Sequence, residues 1–212
     1  MITHQFNAIE TMNVRIGIPG SLTISSTSEQ PSIKMQLSSC DNSRIELNIN
    51  DDTQHVEISL NDRFRGSNGP IYSDIEISLP QNMIESLNIN AVCSKMSIHR
   101  ISVNKLRIHN VRGKLGVLPE SHIHNLKLML VETNAVVIFS SDIERAFIKA
   151  IQCNTVLKTN GFRGCIHIDA VGATARINET TIQNGHFVWG DVNNNNKLSC
   201  DVISGRFSLD QG

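Results

Sequence analysis

Aromatic residues are scarce: one Trp, one Tyr and seven Phe make up 4% of the chain. A buried core must therefore be filled by Val, Ile and Leu, residues that suit strands stacked against one another. Charge of one sign is also lacking, because 19 Lys and Arg stand against 20 Asp and Glu, a formal net charge of −1. That balance excludes wholesale nucleic-acid binding, which rests on a clear basic excess. It leaves room for a local basic face. No apolar run approaches the ~18 residues of a membrane span. Residues Met1 to Asn7 lack the basic start and apolar stretch of a signal peptide. The sequence reads as a soluble chain without an export signal, cytoplasmic or peripheral to the cell envelope.

Cysteine is sparse and scattered. Cys40, Cys93, Cys153, Cys165 and Cys200 form no CxxC pair. They read as free thiols rather than a disulfide framework or a metal site. Catalytic signatures are missing as well: there is no GxSxG, HExxH, P-loop or GxGxxG after a strand. The sequence assigns no catalytic residue, no metal ligand and no cofactor. His122 and His124 form the one close histidine pair. Such spacing on a strand suits a metal with a third ligand, but the pair follows a Pro119-Glu120-Ser121 turn and reads as surface histidines.

What the chain does have is a period. Ile84, Val103, Ile123, Ile143, Phe162, Ile182 and Val202 follow one another at steps of 19 or 20 residues. Counting each as position zero, positions five and seven hold Ile89 and Ala91, Ile108 and Asn110, Leu128 and Leu130, and Ile148 and Ala150. Phe187 with Trp189 and Phe207 with Leu209 continue the rows, and Ile166 with Ile168 joins them if one residue is deleted. A second pair falls at positions twelve and fourteen: Met96 and Ile98, Leu115 and Val117, Ala135 and Val137, Thr155 and Leu157. Period-two alternation puts each pair on one face. Two short strands per unit, cornered near position ten by Ser94, Gly113, Thr133, Cys153 and Gly172, predict an all-β, single-stranded parallel β-helix. This is a β-solenoid with coils of about 20 residues, right-handed by the default for parallel crossovers. Asn110, polar in an inward row, is expected to bond backbone at a corner.

Upstream, residues 1–13 read as a polar lead-in. Six alternating runs follow, from Val14, Leu22, Ile33, Ile45, Val56 and Ile75, each closed by turn chemistry. Residues 1–80 therefore form an N-terminal β segment that packs on or caps the solenoid. Residues 81–212 form the repeats of one continuous domain. The Asn193–Asn196 run reads as an exposed excursion. The last strand, ending at Leu209, reads as an uncapped edge open to self-association through the solenoid ends.

A strand closing on Leu79-Pro80, followed by units with a Gly or small-residue turn, resembles the bacterial putative-adhesin family, common in Gram-positive envelope proteins. The resemblance spans roughly Val14 to Leu209. It implies a parallel β-helix with an N-terminal β segment and carries no catalytic residues.

The candidate site is an outward face. Positions four and six gather Arg107, His109, Lys127, Lys149, His167, His186 and Arg206 with no carboxylate in either row, interleaved with Met129, Phe147 and Val188. Such a face reads either as a solvated sheet surface whose Lys and Arg discourage edge pairing and aggregation, or as a docking surface for an anionic envelope polymer, an anionic lipid surface or an acidic partner protein. The acidic residues scatter elsewhere, unlike the clustered carboxylates of polysaccharide-cleaving β-helices. The sequence thus points to a non-enzymatic binding or scaffold module. A self-assembling β-helix of the bactofilin type and a carbohydrate-active enzyme are the alternatives.

Overall fold

The structure, a computed structural model, describes residues 1–6, 9–37, 45–60, 72–139, 143–159 and 162–210. Every regular element in them is a strand, and the nineteen strands, numbered along the chain, share one sheet of mixed orientation. The six N-terminal runs are all strands, and the stretch read as a polar lead-in contributes another, β1 (Ile2–Gln5). Cys40 and the loop from Arg63 to Pro70 lie outside the described residues.

Most of the sheet consists of two parallel ladders. The first runs β6 (His55–Leu60), β2 (Thr11–Ile16), β8 (Ile84–Val92), β10 (Ser102–Val111), β12 (His122–Val131), β14 (Arg145–Ile151), β18 (Lys197–Ile203) and the first half of β16 (Cys165–Ile177). The second runs β7 (Ser73–Pro80), β3 (Gly20–Thr27), β9 (Ser94–His99), β11 (Lys114–Val117), β13 (Asn134–Phe139), β15 (Asn154–Thr159), β19 (Arg206–Asp210) and the second half of β16. Four pairings are antiparallel: β1 with β4 (Ser32–Leu37), β4 with β7, β5 (Ile45–Asn50) with β6, and β17 (Thr180–Trp189) with β16. They correct the expectation of a purely parallel β-helix. A parallel stack leaves an open edge at each end, and here antiparallel strands cover those edges.

Ladder registers follow the sequence period as far as β14. Val103 faces Ile84 and Ile123, steps of 19 and 20, and Leu126 faces Ala146, a step of 20. Then the chain skips a place. Ile148 of β14 faces Cys200 of β18, and Cys200 faces Ile168 of β16. Strands β18 and β19 thus lie between two earlier ones, and the predicted uncapped end is instead interior. The first unit is placed likewise, with β2 between β6 and β8 and β3 between β7 and β9.

This arrangement corrects three assignments. No residue is deleted around Phe162; the unit counts from Arg163, twenty after Ile143, which sets Ile168 beside Cys200 and Ala175 beside Phe207. Ile182 begins no unit, because β17 runs backwards and sets it opposite Ala175. Val202 stands at position seven, between Ala150 and Ala170, while Phe207 and Leu209 stand at twelve and fourteen. The cause is physical: alternation has the same period in a strand of either direction, so a returning hairpin imitates another repeat.

One apolar cluster fills the interior. Beyond the predicted rows it includes a row at position three: Leu87, Leu106, Leu126, Ala146, Leu198 and Ile166, all buried. Each corner turns through a left-handed residue at position nine, namely Cys93, Arg112, Glu132, Gln152, Ser204 and Gly172. Their φ values lie between 49° for Glu132 and 58° for Gly172, a conformation uncommon for the five that bear side chains. Backbone bonds hold them: the amides of Cys93, Arg112, Glu132 and Gln152 donate to carbonyls of Val111, Val131, Ile151 and Ile203 on the neighbouring strand. Gly113 follows at position ten, where a Cβ would come 2.3 Å from the Ser94 carbonyl oxygen. Asn110 does not bond backbone as expected; it is fully buried and both amide atoms lack a partner among the described residues. The Asn193–Asn196 run is an excursion outside the strands, exposed at Asn193 and Asn195, and forms the bonded return from β17 to β18. Asn194 donates through Nδ2 to the Arg163 carbonyl, and Cys165 N–H donates to the Asn196 carbonyl. Among the described residues no helix is long and apolar enough to cross a membrane.

Candidate binding face

The outward face of the first ladder is set by strand alternation and by the registers above. Its position-four row reads Asn88, Arg107, Lys127, Phe147, Ser199, His167 and Val188 across β8, β10, β12, β14, β18, β16 and β17. The position-six row reads Asn90, His109, Met129, Lys149, Asp201, Asp169 and His186. Arg107, His109, Lys127 and Lys149 are brought together on three consecutive strands. His167 and His186 lie on the same face three and four strands further from β12.

Arg206 is not part of this group. It lies on β19 in the second ladder, between Asn154 and Thr174. The rows also contain carboxylates, because Asp201 follows Lys149 and Asp169 follows Asp201. The expectation of carboxylate-free rows is corrected, since it rested on the misplaced register after Phe162. The face is therefore graded, cationic over β10, β12 and β14 and acidic over β18 and β16. His186 belongs to the acidic end, where its Nδ1 meets Asp169 Oδ1. His167 sets Nε2 3.1 Å from Cys165 Sγ, and its ring centroid lies 6.0 Å from that of His186.

Other outward cations, including Arg15 beside Asn90 in the position-six row, are neutralised by carboxylates. Arg15 pairs with Glu57 at 3.3 Å, Lys105 with Glu85 at 2.6 Å and Arg112 with Glu132 at 3.0 Å. Glu85 is held below the usual carboxylate range by hydrogen bonds from Lys105 and then Asn104. Arg107, Lys127 and Lys149 have no such partner among the described residues. Lys127 lies over the Phe147 ring, with Nζ 5.8 Å from the centroid. Arg107, His109, Lys127 and Met129 line a shallow depression completed by the amides Asn88 and Asn90. Neighbouring strands are ~4.8 Å apart, so Arg107 and Lys127 sit one strand spacing apart, and Lys149 lies on the next strand, two residues further along.

Sequence reasoning passed over the residues that border this patch. Position eight carries Val92, Val111, Val131, Ile151, Ile203 and Val171 in one unbroken row. A β-branched residue at the same place in each unit was the available signal. These side chains are outward and partly exposed, with Val171 at 64% and Val92 at 44%. His122 and His124 both lie on β12 rather than ahead of it, and among the described residues no group of three metal-ligating side chains gathers.

The class defined by this geometry is an all-β domain with an extended outward face. A putative cell adhesion protein from Clostridium sporogenes shares the fold, with a TM-score of 0.54 over 100% of this chain and 98% of its own at 17% identity. Putative adhesins from Bacteroides fragilis (TM-score 0.46, 11% identity, 98% of this chain and 95% of that one) and Parabacteroides merdae (0.44, 9%, 98% and 94%) are less similar. No family model matches the chain, and no curated protein matches its sequence.

Proposed function

We propose that the protein is a non-enzymatic binding module that docks a linear acidic polymer on the Arg107–Lys127–Lys149 face. In this reading the twenty-residue units are coils of a right-handed β-solenoid, residues 1–80 pack continuously onto them, and the ladder serves as a rigid platform. The observation that carries it is the contrast in charge pairing. Arg15, Lys105 and Arg112 are satisfied by carboxylates, whereas three cations on consecutive strands, beside Phe147, Met129 and His109, form no ion pair among the described residues. Unneutralised cations at fixed spacing on a stiff sheet attract a polyanion without ordering long side chains on both partners. A bactofilin-like filament fits less well, because the antiparallel β17 occupies the end on which a further parallel unit would stack.

The test is titration of the protein with polyphosphate and with polygalacturonate in low salt. The wild type binds, and affinity falls as salt screens the charges. Replacing Arg107, Lys127 and Lys149 together by Glu abolishes binding, while Arg206→Glu on the other ladder leaves it unchanged. Equal binding by the triple variant, or no binding by the wild type, overturns the proposal.

A further inference from the structure

Strand β17 forms an end of the sheet. Among the described residues it pairs with β16 alone, so its other edge presents unpaired backbone N–H and C=O groups. Proteins commonly guard such edges with Lys, Pro, bulges or covering segments. Here Thr180–Trp189 contains no Lys, Arg, Asp, Glu or Pro. The same end gathers much of the protein's exposed apolar surface. Val171, Val188, Trp189 and Val192 are 64, 39, 44 and 56% exposed. Ile182 and Phe187 close the core only partly.

From this edge we infer that two copies of the chain associate by antiparallel pairing of their β17 strands, centred on Val188. The strand bends at Asn184 and Gly185, whose φ values are 52 and 152°, which leaves the segment from His186 onward as the straight half. Phe187 and Trp189 point to one side, opposite Ile168 and Ile166, and Val188 points to the other, opposite His167. A two-fold axis perpendicular to the sheet preserves these sides only if it passes through a residue position. Centred on Val188, it places Phe187 of each copy against Trp189 of the other and Val188 against Val188. Cross-strand aromatic pairs of this kind stabilise antiparallel edges. Glu179 and Asp191, which flank the strand, stay outside the central contact. A second copy is thus uncharged and apolar where this edge is uncharged and apolar.

The same axis keeps both outward faces on one side of the joined sheet. The two Arg107–Lys127–Lys149 patches then face the same way and can engage one polymer together. This last consequence rests on the function proposed above, whereas the dimer does not.

Light scattering across the micromolar range tests the dimer. The wild type should show twice the chain mass, and Val188→Lys the single chain mass with an unchanged melting curve. Val188→Cys in a Cys93→Ser background places two thiols on the axis, so mild oxidation should yield a covalent dimer, while Thr181→Cys in that background should not. A wild type of single chain mass at every concentration overturns the inference. So does a Val188→Lys variant that keeps the doubled mass, a series of larger species, or no cross-link at position 188.

Discussion

Lys127 holds its ammonium over the Phe147 ring, 5.8 Å from the centroid, one strand away in the same outward row. The contact lays a flexible side chain along the sheet and fixes where its charge is presented. A cation–π contact at an exposed site contributes about 0.5–1 kcal/mol. Phe147→Leu should therefore weaken polyphosphate binding by roughly 2- to 5-fold and change unfolding stability by no more than about 1 kcal/mol. Isothermal titration and urea unfolding of the same variant separate the two effects.

Leu198 and Ile182 differ in consequence although both are aliphatic strand residues of the C-terminal part. Leu198 is 1% exposed, between Ala146 and Ile166 in the position-three row. Ile182 is only partly buried on the edge strand. Leu198→Ala should cost about 2–5 kcal/mol, and Ile182→Ala well under half of that. Denaturant midpoints at constant m-value check the ranking, and equal losses would mean that β18 is not interior.

Much of this architecture was legible in the residues. Alternation identified every N-terminal run as a strand, and the spacing from Ile84 to Ile143 matches the ladder registers. Arg107, His109, Lys127 and Lys149 were assembled correctly because β10, β12 and β14 follow one another directly in space. Past Phe162 the reading failed, because spatial order departs from chain order there. A 20-residue spacing between Phe162 and Ile182 arises equally from a hairpin and from another parallel turn, and only pairing decides. Arg206 was misassigned for that reason, as were the rows that omitted Asp201 and Asp169. Asn110 was recognised as exceptional, but its lack of a hydrogen-bond partner depends on neighbours that only the folded registers supply.

The buried thiols give the protein a pH dependence on the alkaline side. Burial raises the pKa of Cys200 far above its ordinary value, with nearby Asp201 adding to the effect. Burial likewise raises that of Cys153, against the lowering effect of the Thr133 amide, which donates a hydrogen bond to its Sγ. In the unfolded chain both ionise near pH 9. The folded state binds more protons above that pH, so the contribution of these groups is whole below pH 9 and declines as pH rises beyond it. Urea midpoints at about pH 8 and about pH 10 should show the loss, and Cys200→Ala should reduce it. In the native state alkylating reagents should label exposed Cys93 ahead of Cys153 and Cys200.

The interior position of β18 and β19 has a consequence for biosynthesis. A ribosome delivers β14 to β17 before either of these strands exists, and until they arrive β14 and β16 face each other across an apolar slot one strand wide. Cooperative closure then waits on strands made after both of their neighbours, which act as a keystone rather than as an added course. A polypeptide that ended before residue 197 would lack both strands and leave β14, β15 and β16 without the partners they have in the complete sheet.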